Sequence, residues 1–85
     1  MKIWVITIDE VYDYENFPHD PIAFSNEKDA KEQLDTFRKG LKKDYESELE
    51  SNWLYEDGER YCEVYEDGCY GTNHYSVRLS EIELK

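Results

Sequence analysis

Residues 55–68 read YEDGERYCEVYEDG, and Tyr-Glu-Asp-Gly occurs in them twice, ten residues apart. A repeated binding motif, a metal loop and a pair of turns all fit that repeat. Asp-Gly between strand-like segments is a strong hairpin signal, because aspartate and glycine both tolerate positive φ. Asp57-Gly58 then joins NWLYE (52–56) to ERYCEVYE (59–66), and Asp67-Gly68 joins that strand to CYGTNHYSVRL (69–79). The repeat reads as the punctuation of a meander rather than as chemistry.

The same register decides the cysteines. With a two-residue turn at Asp67-Gly68, Glu66 opposes Cys69 and Cys62 opposes Asn73. The sulfurs then share a face but stand about 13 Å apart along the ladder. A three-residue turn places them on opposite faces. Neither arrangement reaches the Cα separation of at most about 7 Å that a disulfide needs. The spacing also lacks the short Cys pair of a zinc knuckle, so free thiols are expected.

Upstream, KIWVITI (2–8) is β-branched and aromatic with apolar side chains on both faces, as in a strand inside a sheet. DEVYDYENFPHDP (9–21) follows as a polar loop, and IAFS (22–25) as a short antiparallel strand near an edge. Ser25 or Asn26 caps a helix whose first turn holds Glu27 and Asp29. Ala30, Leu34, Phe37, Leu41, Tyr45 and Leu49 then recur at helical spacing as one apolar stripe. A helix run to about residue 50 is about 36 Å long, against about 23 Å for a seven-residue strand. It therefore overhangs the sheet or bends, and Gly40 is the natural place for a bend. Downstream, YSVRLSEIEL (75–84) alternates as a strand but shifts by one at Ser80-Glu81. A β-bulge there would keep both apolar sets on one face.

This order of pieces resembles that of many small uncharacterised bacterial and phage proteins. The resemblance rests on KIWVITI, on the acidic tyrosine loop DEVYDYE, on PIAFSNEKDAKEQLD and on YSVRLSEIEL, covering residues 1–39 and 75–84. It implies an antiparallel sheet with one helix on its face and the last strand beside the first. It brings no catalytic residues. Residues 44–74, the acidic helix end and the double hairpin, depart from that pattern. The expectation is a single α+β domain over residues 1–85, with about four or five strands and one long helix packed on one face.

Charge narrows the function. The chain carries 21 acids against 10 Lys and Arg, for a net charge of −11. That argues against direct binding to nucleic acid or to an anionic membrane, and no run of 18 apolar residues occurs that could span one. MKIWVITI is too short for a signal peptide and lacks a small-residue cleavage site, so a cytoplasmic chain with reduced thiols is expected. The charge is uneven: −5 over residues 9–20, +2 over 27–43 and −9 over 44–67.

No constellation of residues announces catalysis. His74 lies five residues after Cys69, which in a strand places them on opposite faces and argues against a Cys-His nucleophile. His19 sits between prolines in a loop. Asp9, Glu10, Asp13, Glu15 and Asp20 lack the glycine that a calcium loop needs for its sharp turn. No phosphate loop or nucleophile elbow is present. No cofactor, metal or catalytic residue is assigned.

Two tryptophans, eight tyrosines and three phenylalanines suit a thin core. Tyr12, Tyr14, Tyr55, Tyr61 and Tyr65, however, are interleaved with acids. Exposed tyrosine among carboxylates is the composition of a protein-binding surface, with tyrosine as rigid anchor and acids for steering. The candidate face comprises Glu46, Glu50, Glu56, Asp57, Glu59, Glu66, Asp67, Tyr55, Tyr61 and Tyr65. A secondary loop adds Asp9, Glu10, Tyr12, Asp13, Tyr14 and Glu15. The expected function is non-catalytic docking on a basic protein surface, such as that of a nucleic-acid-binding protein, by imitation of DNA. Phage-borne nuclease inhibitors are similar in size and charge. The competing readings are a merely solvated acidic surface on a regulatory or housekeeping domain and, ranked last, a small carboxylate-based metal binder or enzyme.

Overall fold

The computed structural model describes residues 1–47, 52–69 and 71–84. The elements run β1 (Lys2–Tyr12), β2 (Glu15–Pro18), β3 (Ile22–Phe24), α1 (Glu27–Ser47), β4 (Trp53–Gly58), β5 (Tyr61–Glu66) and β6 (His74–Glu83). One helix packs against a six-stranded antiparallel sheet ordered β2-β1-β6-β5-β4, with β3 on the same edge of β1 as β2. The last strand lies beside the first.

The sixth strand comes from the stretch expected to be a loop. β1 continues to Tyr12, turns at Asp13-Tyr14 and returns as β2, with Tyr12 paired to Glu15. Both turn residues have positive φ, 52° and 69°, the pattern of a tight type I′ hairpin. Aspartate advertises such a turn and tyrosine does not, which is why the hairpin is hidden in the sequence.

The Asp-Gly pairs also behave differently from their motif. β4 runs through Gly58, which pairs with Tyr61, so the two turn residues are Glu59 and Arg60. Gly58 is needed for another reason: a Cβ on it would come 2.4 Å from Cε1 of Tyr61. The second pair begins a seven-residue connection, 67–73, in place of a two-residue turn. Gly68 takes φ 78° there, and the Cys69 amide donates to Glu66 O at 2.9 Å. Cys62 consequently opposes Val77 and not Asn73. Both cysteines are free.

The expected bulge is absent from β6. Its ladder with β1 runs unbroken from Lys2↔Glu83 to Val11↔His74. Strict alternation therefore sends Val77 and Leu79 to the helix side and Ile82 to the opposite side, beside Ile3. Ile82 stays exposed there.

The core lies between α1 and the sheet. Ala30, Leu34 and Leu41 of the helix meet Ile6, Cys62, Val64, Val77 and Leu79, all buried. Full burial of a side chain such as Leu34 stabilises by about 1.5–3 kcal/mol. Asn26 caps α1: its Oδ1 accepts the Asp29 amide at 2.9 Å, while its Nδ2 donates back to Asp29 Oδ2 at 3.0 Å. Arg38 pins the middle of the helix to the β4–β5 hairpin by donating to Gly58 O at 2.7 Å. The helix passes through Gly40 without interruption. Among the described residues, no helix is long and apolar enough to cross a membrane.

Candidate functional site

At one end of the sheet β1 finishes, β6 begins, β5 finishes and β4 begins, and α1 delivers its C-terminal half over that end. Side chains from five elements meet there around a cavity of about 560 Å³. Phe37 and Gly40 line it from the helix, Trp53 from β4, Val64 from β5, and Tyr75 from β6. Alternation along β1 turns Glu10 and Tyr12 into it, and Asp44 of α1 completes the wall. Gly40 leaves the helical wall open, since a Cβ placed on it would meet nothing within 4 Å.

Electrostatics follow from that lining. Burial raises the pKa of the Tyr75 phenol, and the nearby charges of Glu10 and Asp44 raise it further, so the ring stays neutral. His19 stands behind Glu10, with its Nε2 2.7 Å from Glu10 Oε1. The imidazole also meets Tyr75 edge to face, ring centroids 5.9 Å apart. Of the described residues lining the cavity, none is basic.

A hydrogen-bond chain links the acidic segments at this end of the sheet. The Asp13 amide, at the tip of the β1–β2 hairpin, donates to Asn73 Oδ1 at 2.8 Å. Asn73 Nδ2 donates in turn to Glu66 Oε2 at 2.7 Å. Segments far apart in sequence are thereby held together: the first hairpin, with Glu10, Asp13 and Glu15, and the end of β5, with Glu66 and the following Asp67.

The acids of residues 44–67 do not form one continuous face. Glu56 and Asp57 alternate to opposite sides of β4. Asp57 faces the helix, where Arg38 and Lys42 lie 3.6 and 3.9 Å from it and the Tyr55 hydroxyl donates to it at 2.8 Å. Glu59 sits in the β4–β5 turn, separated from Glu66 and Asp67 by about 16 Å of strand. Glu46 lies in α1 with its side chain outside the described set, and Glu50 lies outside the described residues altogether.

The tyrosines divide as well. Tyr55 is half-buried under Lys42, 5.5 Å from the ring centroid, and burial pushes its pKa up. Tyr61 and Tyr65 are half-buried on the opposite face, with Arg78 5.6 Å over Tyr61. Tyr12 and Tyr14 are the exposed pair, 59% and 83% accessible, and they belong to the acidic end. Sequence reasoning missed Phe37, Asp44, Trp53, Asn73 and Tyr75. Their only signal was hydrophobic or polar pattern, which does not tell a cavity wall from a core.

The second face of the sheet carries another group of polar residues. His74 Nε2 lies 2.9 Å from Asp9 Oδ2, while Ser76 pairs with Asp9 on one side and Glu63 on the other. Asp, His and Ser in this order invite comparison with a nucleophilic triad. Ser76 is only 2% accessible, however, and the cavity lies on the other face. The Cys62 thiol is no better placed: burial lifts its pKa from 9.0 to about 11, away from thiolate chemistry.

No family model matches this chain, and no curated protein or solved structure matches it either.

Proposed function

We propose that the chain is a non-catalytic docking module whose acidic end engages the basic surface of a partner protein, one that itself holds nucleic acid. The observation that carries this reading is the Asp13–Asn73–Glu66 chain of hydrogen bonds, which joins two acidic stretches at one end of the sheet. Crowded like charges oppose a compact fold by mutual repulsion. A fold that spends hydrogen bonds to hold them together has the charge pattern of a phosphate-like surface, and duplex DNA carries one charge per roughly 1.7 Å of axis. Exposed Tyr12 and Tyr14 supply rigid contact area beside the charge.

The experiment is a salt and charge-reversal series on the complex with the basic protein recovered by affinity capture. Affinity should fall at least tenfold between about 50 and 500 mM NaCl, as the Debye length shrinks from roughly 14 to 4 Å. Asp13→Lys with Asp67→Lys should slow association at least fivefold, mainly through loss of steering. Glu56→Lys with Glu59→Lys, toward the other end of the hairpin, should change it less than twofold. Equal effects from the two pairs, or an affinity indifferent to salt, would overturn the docking reading.

A further inference from the structure

The cavity has the wrong charge for an anionic ligand, since its ionisable wall groups Glu10 and Asp44 are acids and none of its described lining residues is basic. At about 560 Å³ it lies within the size range of small-ligand pockets, far more room than a packing defect leaves. Its wall brings the rings of Phe37, Trp53, Tyr75 and Tyr12 together with the carboxylates of Glu10 and Asp44. An aromatic face attracts a cation through its quadrupole, the more strongly the further the cation is desolvated. A carboxylate beside the ring adds directed acceptors, and Glu10, whose Oε1 meets His19, still has its second oxygen to offer. Elsewhere the chain already uses this chemistry on itself, with Lys42 over Tyr55 and Arg78 over Tyr61.

We infer that the cavity is the socket for an arginine side chain of the basic partner, an inference that rests on the docking reading and names its anchor. Arginine fits better than lysine on three counts. Its guanidinium is planar and stacks on rings, it presents donors in a fork that suits carboxylates, and it is less strongly hydrated than an ammonium. The cavity lies at the acidic end, so the charge that steers a basic surface also brings its side chain to the socket. Tyr75 contributes its ring to the socket wall without adding charge.

The test uses the intact chain and two probes of one shape, Nα-acetylarginine amide and the neutral Nα-acetylcitrulline amide, at fixed ionic strength. The Trp53 indole N–H resonance is followed by NMR. The arginine probe should saturate and bind at least fivefold more tightly than the citrulline probe. Glu10→Gln with Asp44→Asn should weaken the arginine probe at least fivefold and leave the citrulline probe within twofold. Gly40→Leu, which fills open space from an exposed helical position, should block both probes while the chain unfolds at an equal or higher denaturant concentration.

Equal binding of the two probes, or arginine binding that survives Gly40→Leu in a folded chain, would overturn the socket. Failure of the docking reading looks different. Arginine would still fill the cavity, but no basic protein would bind with the salt dependence given above. Full-strength partner binding by Gly40→Leu would instead remove the socket and leave the docking reading in place.

Discussion

Cys62 shows what burial does to one ionisable group. It is fully inaccessible beneath the helix, opposite Val77 on one side and Asp57 on the other. Burial favours the neutral thiol and lifts its pKa to about 11, while the unfolded thiol keeps its ordinary 9.0. Between those values the unfolded chain releases a proton that the folded chain retains. The stabilisation is therefore whole below pH 9 and is lost as pH rises toward 11. Burial also raises the pKa of Tyr55 and Tyr75, which adds to the loss at still higher pH. Cys62→Ala should destabilise the chain at neutral pH by leaving a small cavity, yet its deficit against the parent should narrow by about 2 kcal/mol between pH 8 and 11. Urea titrations across that range measure the gap. A constant gap would mean that the thiol is not shielded as the structure shows it.

The β1–β2 hairpin is the element in which local preference and fold disagree most. Tyr14 takes φ 69° in a turn that glycine would enter freely. A non-glycine residue in that region gives up about 1–2 kcal/mol, while glycine itself loses about 0.5–1 kcal/mol in chain entropy. Tyr14→Gly should thus stabilise the chain by about 0.5–1 kcal/mol in urea titration. If the exposed ring serves docking, the same substitution should weaken binding to the partner. A loss of stability would show that the ring makes a contact worth more than its strain. This hairpin also marks the limit of what the sequence discloses. The apolar periodicity of Ala30, Leu34 and Leu41, the Asn26 cap and the two-sided apolar run of β1 were legible, because each reports a local or one-element cause. Long-range ladders set the true turn at Glu59-Arg60, the unbroken β6 and the hidden β2, and no short motif encodes their register. The cavity was illegible for the same reason. Its rings and carboxylates come from four elements, and only the assembled fold brings Glu10 to Tyr75 and Asp44.

At the scale of the whole molecule, the net charge of −11 acts on a body only 46 × 23 × 16 Å in extent. Carboxylates that stand within a Debye length of one another, about 10 Å at 0.1 M salt, repel across that small surface. Opposing that repulsion are surface pairs such as Lys31–Glu27 at 3.1 Å and Arg38–Asp57 at 3.6 Å, a class worth about 0–1 kcal/mol each. With twice as many acids as bases, 21 against 10, repulsion outweighs pairing. Screening should therefore stabilise the free chain. Raising NaCl from about 20 to 500 mM should lift the thermal midpoint by about 4–8 °C, the shift that roughly 1 kcal/mol gives a domain of this size. Chloride is the proper salt, because sulfate would strengthen apolar burial as well. The sign is what matters, for the docking reading requires the opposite response from the complex. Salt that makes the fold firmer should make its grip on a basic partner weaker, since one field is responsible for both. A thermal midpoint that stays flat or falls with NaCl would mean that the carboxylates do not crowd one another in the folded state. The phosphate-like end of the molecule would then lose its physical basis.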